Sequence, residues 1–569
     1  MKLQIEKAGV EALVARFPEL SGLREQLRLG PRVEVACAAL NRPQLGFLRE
    51  RYAAGGPSMA GRAAQLQALE EAIDVGGHRY AEGELERLAP DLMDLLLKDP
   101  IRGWLFRASL AGKPAAYVVT RLDFTPPSDE ESGRVVMELR ANAMGKVAIE
   151  QVLIRGRDLP GRTLREILAE KGYLKENPGL IEAYDAAAAH YFDWRARTGM
   201  QFSARGSAIF ADDPSASHRT TDWTRKPLVV LSTSGGDARL VNDEGVLRDR
   251  DATLEVPGDI LARFLRKAGK SLRFDLALES RMEDLRDQTP AGLFTQIPVH
   301  PFVLMFHLDL HHHLWVHVAD MQPYVYDATL KDRLVLPASH TDLIDILTAE
   351  MDVLMDDIVA GKSGGTTVLC AGPPGVGKTL TAEVYAEIIQ RPLYRIHSGQ
   401  LGLSVAEMEA ALREALTRGQ RWGAVMLIDE ADVYIRRRDD DMAANAVVGV
   451  FLRVLEYFNG LLFLTTNRIG DIDEAIVSRC IALIRYHPPG VEDRARIWRV
   501  MAAQFALTLD ESLVHTLAER FADASGRDIK GLARLTAKYC RHKQLPVTLD
   551  AFLACAVFRG MDTTRESTP

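Results

Sequence analysis

Apolar positions in the first hundred residues recur three and four apart. Between Ala64 and Ile73 they fall at Leu66, Leu69 and Ile73, and between Glu84 and Met93 at Leu85, Leu88 and Leu92. That spacing lays one stripe along one helix face and predicts helices packed by the stripe. Pro90 interrupts the second run, so two short helices are expected there, with Pro90 in the first turn of the latter. Ala54 to Ser58, with Gly55, Gly56 and Pro57, reads as a loop between helices.

From about residue 101 the period changes toward two. Trp104 to Leu110 and Ala116 to Leu122 flank a turn at residues 111–114, and Val135 to Arg140 and Val147 to Ile154 continue the alternation. These predict β-hairpins. Helical spacing returns over Thr163 to Ala169 and Leu180 to Arg197. Strand-like runs come next at Lys226 to Leu231, Leu272 to Leu278, Val303 to Leu308 and Leu314 to Val318. The pattern divides this part of the chain into a helical region over 1–100 and an α+β domain over 101–330. The position of that domain, on the N-terminal side of residue 331, suits recognition or regulation and names no substrate.

Beyond residue 365 the pattern changes again, to short runs that are apolar throughout: 366–371, 424–428 and 461–466. Strands buried on both faces of a parallel sheet read this way. Each run ends in a candidate for chemistry. The first opens onto Gly372, Pro373, Pro374, Gly375, Val376, Gly377, Lys378 and Thr379, a complete G-x-x-x-x-G-K-[ST] loop, with a helix-forming segment from Leu380 behind it. The glycines leave no Cβ between backbone N–H groups and phosphate oxygens, and the helix points its positive end at the same anion. Lys378 adds a point charge for the β and γ phosphates, and the Thr379 hydroxyl is placed to ligate magnesium. These eight residues and Leu380 are the expected nucleotide contacts.

The second run ends in Asp429, Glu430, Ala431 and Asp432. A carboxylate at the tip of a buried strand reaches the magnesium shell, which gives Asp429 and Thr379 to the metal. Glu430 then stands beside the γ-phosphate as the group to polarise the attacking water. The third run ends at Asn467, expected to hold that water against Glu430. A helix from Asp473 closes on Arg479 and Cys480. A phosphoryl-transfer transition state needs positive charge, and Arg479 from a neighbouring subunit is the candidate to supply it; the plain alternative is a solvated arginine at a helix end.

Together these residues resemble the AAA+ ATPase module over about residues 340–560. The matching features are the phosphate loop, Leu427 to Asp432, Thr465-Thr466-Asn467, Ser478-Arg479, and Ser525 to Ile529. The resemblance implies an α/β nucleotide core over 331–488 and a helical lid over 489–560, with ATP and Mg2+ as cofactors. It implies a ring, usually hexameric, with ATP at subunit interfaces, and it gives Arg527 of the lid to the nucleotide phosphates. Within the family the sequence looks closer to a group in which a stand-alone module follows a long N-terminal region. The expected fold class is therefore multidomain: N-terminal helical and α+β regions, then a P-loop α/β AAA+ domain with a C-terminal lid. The polar tail at 561–569 is expected to be disordered. The expected function is ATP-driven remodelling of a protein client; the alternative is a nucleotide-switched scaffold that regulates a partner enzyme or nucleic acid.

Two features depart from the family pattern. The segment His397 to Glu407, where many protein-threading rings carry an aromatic pore residue, has no Phe, Tyr or Trp. Leu401 and Leu403 are its main bulky apolar groups. The finger region holds Arg479 alone instead of two arginines. The opposed charge blocks Arg436 to Arg438 and Asp439 to Asp441 read first as a solvated loop, and otherwise as a second pore loop or an inter-subunit contact.

Net charge is −8, from 70 basic and 78 acidic residues, so no overall basic footprint points to nucleic acid. The five cysteines are scattered and lack metal-ligand spacing, which reads as reduced thiols in a cytoplasmic protein. Without a signal-peptide core or a long apolar run, no membrane span is expected. His307, His311, His312, His313 and His317 invite a metal reading. No cysteine or carboxylate cluster joins them, so a histidine-rich hairpin on a solvent face is the expectation.

Overall fold

A computed structural model describes residues 2–212, 226–247, 293–349 and 365–561, together with 280, 284 and 287, apart from short gaps at 30–31, 75, 111–112, 130, 232–235, 398, 400, 402–403 and 439–441. The chain divides into one unit of residues 1–198 and 202–323 and a second of 199–201 and 324–569.

The first unit opens with strands as well as helices. Lys2–Glu6 and Arg32–Ala36 pair antiparallel, with Leu3, Ile5, Val33 and Val35 buried beneath them. Five-residue strands are too short to stand out beside the helical stripe. The stripe itself packs in the helices Pro57–Asp74 and Leu85–Leu97, although Ile73 at its end is 43% exposed. Pro90 lies inside one continuous helix rather than between two. An interior proline costs about 3 kcal/mol in a helix. Here Leu85, Leu88, Leu92, Met93 and Leu96 are all buried, and each such side chain contributes about 1.5–3 kcal/mol. Burial of that face outweighs the lost N–H bond.

The alternating segments form a five-stranded antiparallel sheet from Trp104–Leu110, Lys113–Thr125, Arg134–Ala143, Lys146–Arg155 and Tyr173–Lys175. Helices Leu164–Glu170 and Pro178–Arg195 are capped by Thr163 and Asn177. A separate seven-stranded sheet contains Leu228–Val230, Phe302–His307 and His312–His317. The run Leu272 to Leu278 lies outside the described residues, as does all but Met561 of the tail.

Three of the five histidines of the hairpin do not face solvent, while His311 and His312 at its turn are half-buried. His307, His313 and His317 are 6%, 9% and 5% exposed, because both faces of the strand are covered. Their rings are used as local acceptors and partners. His307 Nδ1 accepts the N–H groups of Asp309 and Leu310, each at 3.2 Å, and His317 Nδ1 accepts that of Ala319 at 3.1 Å. His313 Nε2 lies 2.8 Å from Asp243 Oδ2. Burial holds His307 and His317 below the usual imidazole range. Among the described residues, no group of three or more His, Cys, Asp or Glu is arranged to hold a metal ion.

The second unit contains a five-stranded parallel sheet. Its strands are β1 (Thr366–Ala371), β2 (Leu393–His397), β3 (Val425–Asp429), β4 (Leu461–Thr466) and β5 (Ala482–Arg485). They lie in the order β2-β3-β4-β1-β5, all parallel. Every residue of β3 and β4 is buried, as their unbroken apolar runs require. Between strands lie helices Lys378–Ile388, Val405–Trp422 and Met442–Leu455. The second of these is fixed at its start by a Ser404–Glu407 capping box and at its end by Gly423 at φ +59°. Beyond the sheet, helices Val491–Phe505, Glu511–Arg520, Gly526–Lys543 and Leu549–Val557 pack on their own core around Trp498, Leu517, Leu532 and Phe552. Among the described residues, no helix is long and apolar enough to cross a membrane.

Candidate functional site

Parallel strands end at one edge of a sheet, and in an open α/β sheet that edge carries the ligand site. Strand β1 delivers Gly372 there, held by a bond from its N–H to Thr466 O at 3.2 Å. A Cβ on Gly372 would sit 2.6 Å from Tyr486 O, so only glycine fits. Gly375 and Gly377 adopt φ +83° and +102°, which curls the loop back on itself. Gly377 then caps helix Lys378–Ile388 without a side-chain acceptor, leaving first-turn N–H groups directed at the loop.

Lys378 is 7% exposed. Its ammonium donates to Gly372 O and Pro373 O, both at 2.7 Å, and to Asn467 Oδ1 at 2.9 Å. Burial draws its pKa below the usual lysine range, against the opposing pull of Asp429 and Asp432. The Thr379 hydroxyl donates to Asp429 Oδ1 at 2.9 Å, and the Thr465 hydroxyl donates to the same oxygen at 2.5 Å. Burial alone would raise the Asp429 pKa. The hydroxyl bonds from Thr465 and Thr379 and the charge of Arg395 outweigh it and hold the carboxyl below its ordinary value.

Glu430 follows β3 in the left-handed region, at φ +55°, with its N–H bonded to Thr465 Oγ1 at 3.0 Å and its side chain exposed. Asn467 follows β4, its N–H on Asp432 Oδ1 at 3.1 Å. The structure thus gathers Lys378, Thr379, Asp429 and Asn467 within one hydrogen-bonded set, with Glu430 next to Asp429 in the chain. Arg527 approaches by its backbone, whose N–H lies 3.3 Å from Gly375 O, while its side chain is exposed. A Cβ on Gly375 would meet Ser525 Oγ at 2.5 Å, so the start of helix Gly526–Lys543 packs directly on the loop. Leu380 is 47% exposed on the outer side of its helix, and Val376 packs partly against the core. Arg479 stands apart. It ends helix Glu474–Arg479 and donates to Glu456 and to Ala475 O, and none of its hydrogen bonds reaches the phosphate loop.

Three contributors were not singled out from sequence. Asp432 accepts both the Thr466 hydroxyl and the Asn467 N–H and so fixes the turn after β4. Thr465 ties Asp429 to the Glu430 backbone. Arg395 on β2 pairs with Asp429 Oδ2. A cation in an otherwise apolar strand run was the available signal for Arg395. In the charge block after β3, Arg437 and Arg438 are exposed, as a solvated loop requires, while Arg438 also pairs with Asp473 at 2.8 Å and the Arg436 backbone bridges to Ile472. Asp439 to Asp441 lie outside the described residues.

A nucleotide with magnesium fits these residues. The loop offers unobstructed backbone donors and one buried ammonium, and Thr379 with Asp429 offers the oxygen pair that a hard divalent cation takes.

The family model for "ATPase family associated with various cellular activities (AAA)" matches residues 368–487. The "26S proteasome regulatory subunit 8 homolog" of Schizosaccharomyces pombe is 26% identical over 238 residues, 39% of this chain and 56% of that protein. "Protein CdcH" of Halobacterium salinarum is 31% identical over 182 residues, covering 30% of this chain and 24% of that protein. The "ATPase family gene 2 protein" of Schizosaccharomyces pombe is 28% identical over 186 residues, 31% of this chain and 23% of that one. The chain therefore spans little more than half of the first relative and about a quarter of the other two. The motifs at the strand ends, the parallel sheet and the family match agree: residues 368–487 form an AAA+ ATPase module.

Proposed function

We propose that this chain hydrolyses ATP, assembles into a ring, usually six-membered in this family, and remodels a bound protein client. The observation that carries the reading is the convergence of Lys378, Thr379, Asp429 and Asn467 at the C-terminal edge of the parallel sheet. In this reading Lys378 and the loop N–H groups bind phosphate oxygens. Thr379 and Asp429 hold Mg2+, which, when bound, neutralises developing charge on the phosphates. Glu430 accepts the proton of the attacking water and Asn467 orients it. Arg479 completes the site of the adjacent subunit, and Arg527, with the helices from 491 acting as a lid, reads the phosphates in its own. Residues 101–330 serve as the recognition or regulatory part.

The test is affinity capture with Glu430→Gln, comparing ATP with ADP. A protein retained in ATP alone supports remodelling. A wild type that neither binds nor hydrolyses ATP overturns the reading.

A second reading, a nucleotide-switched scaffold that regulates a partner enzyme or nucleic acid without threading, is favoured by one observation. Leu401, one of two bulky groups in the segment without aromatics, is 2% exposed and packed inside its own subunit. Leu403 lies outside the described residues. Hydrolysis that is unchanged by any unfolded polypeptide, with a partner held in both nucleotide states, would support the scaffold.

A further inference from the structure

The Asp429 carboxylate is shared between two kinds of donor. Oδ1 takes the hydroxyls of Thr379 and Thr465, and Oδ2 takes the guanidinium of Arg395. The two hydroxyls are neutral and orient the carboxylate. The guanidinium is different, because it brings a full positive charge to the group that would hold a dication. A like charge at hydrogen-bond distance opposes cation binding at the same carboxylate.

Arg395 reaches Asp429 from the neighbouring strand. β2 and β3 are parallel, with Arg395 opposite Leu427 and His397 opposite Asp429. Tyr394 and Ile396 on either side are buried at 3% and 2%, while the Arg395 side chain is 38% exposed. Its backbone is held between buried neighbours, its Nε is buried, and its guanidinium end is partly exposed. A second carboxylate already stands close to that end: Glu383 Oε1, on the phosphate-loop helix, lies 3.8 Å from Arg395 Nη1. Glu383 is itself 45% exposed and is placed to receive the charge if Asp429 gives it up.

We infer that Arg395 is a positioning residue that competes with the divalent cation for Asp429 and passes to Glu383 when that cation binds. The magnesium dependence of nucleotide binding is then set by this exchange as well as by Thr379 and Asp429. The inference rests on the reading that nucleotide and magnesium bind at this loop.

The experiment titrates magnesium into the full-length protein with a fluorescent ADP analogue and reads binding rather than turnover. Arg395→Ala lowers the half-saturating magnesium concentration by about three- to tenfold, the range for a partly exposed charged hydrogen bond. Glu383→Ala moves it the opposite way, by about two- to threefold, because the guanidinium loses its alternative partner. Arg395→Lys keeps the charge and stays closer to wild type than Arg395→Ala, which separates charge from packing. An Arg395→Ala midpoint equal to or above that of wild type overturns the inference, as does a Glu383→Ala midpoint below it. A wild type whose nucleotide binding ignores magnesium overturns the underlying reading of the site instead.

Discussion

Lys378 and Asn467 meet at the ends of the adjacent strands β1 and β4, with the ammonium donating to Oδ1 over 2.9 Å. The same ammonium is held by two backbone carbonyls of its own loop. Three acceptors therefore aim it along the loop, and its loss removes the buried positive charge of the loop itself. Lys378→Ala is expected to weaken nucleotide binding at least tenfold, on the order of 1.5–3 kcal/mol for charged hydrogen bonds. Asn467→Ala is expected to leave binding within about threefold and to lower kcat by about a hundredfold, the usual scale for a group that acts on the reacting centre. Fluorescent-nucleotide binding and steady-state hydrolysis separate the two. Normal turnover in Lys378→Ala would remove the loop from the mechanism.

Glu430 combines a functional position with an unfavourable backbone. At φ +55° a residue with a Cβ is strained by about 1 kcal/mol or more, and the Thr465 hydroxyl bond to its N–H holds it there. Two substitutions separate these contributions. Glu430→Gln keeps the shape and is expected to bind ATP while losing about a hundredfold or more in kcat. Glu430→Gly is expected to lose hydrolysis equally and to raise stability by about 1 kcal/mol, since glycine enters this region freely. Thermal midpoints of the two variants decide it: a glycine variant less stable than the glutamine variant would show that the turn is not strained.

The sequence pattern located the residues that the structure gathers because the three runs that carry them, β1, β3 and β4, are buried on both faces and end where the loops begin. A run such as Val425 to Asp429 has no solvent-facing alternation to confuse it, and Gly372 and Gly375 of the loop stand where a Cβ would collide with Tyr486 and Ser525. Side chains that act through another residue were harder to read. Arg395, Thr465 and Asp432 meet their partners only once neighbouring strands are assembled, over 34 to 36 positions of sequence. No local spacing encodes that distance. The histidine hairpin misled for a related reason. Histidine is polar enough to read as surface, yet its ring accepts a neighbouring N–H and can then be buried neutral. Pro90 misled because propensity is local, while the burial that overrides it belongs to the whole core.

Arg479 is parked on Glu456 at the protein surface, with side chains 35% and 47% exposed. A pair this exposed is worth about 0–1 kcal/mol, so it restrains the finger without locking it away from a neighbour. Glu456→Gln is therefore expected to shift stability by less than about 1 kcal/mol. Arg479→Ala is expected to bind nucleotide within about twofold of wild type and to lose hydrolysis about a thousandfold if the charge acts across an interface. Mixing Arg479→Ala with Glu430→Gln subunits tests the trans arrangement. Shared interfaces that carry both wild-type residues regain turnover; mixtures no more active than either parent would place Arg479 outside the mechanism.

His300 gives the first unit a defined acid response. It is 1% exposed, its Nε2 lies 3.1 Å from Ala116 O, and burial lowers its pKa from 6.5 to about 4. Between those values the unfolded chain takes up a proton that the folded one refuses. Stability is thus unaffected above about pH 6.5, falls as the pH drops through the window, and levels off below about pH 4 with a loss of about 3 kcal/mol. His317, also buried and shifted downward, adds a term of the same sign. At pH 5 the loss from His300 alone is expected to be about 2 kcal/mol. Hydrogen exchange in the strand Lys113–Thr125, which carries Ala116, reads it locally in the full-length protein. Protection there should fall between pH 7.5 and 5 after correction for intrinsic exchange rates, and His300→Gln should flatten the profile. Wild-type protection that stays constant over that range would mean that His300 takes up its proton inside the fold, against the low pKa that its burial dictates.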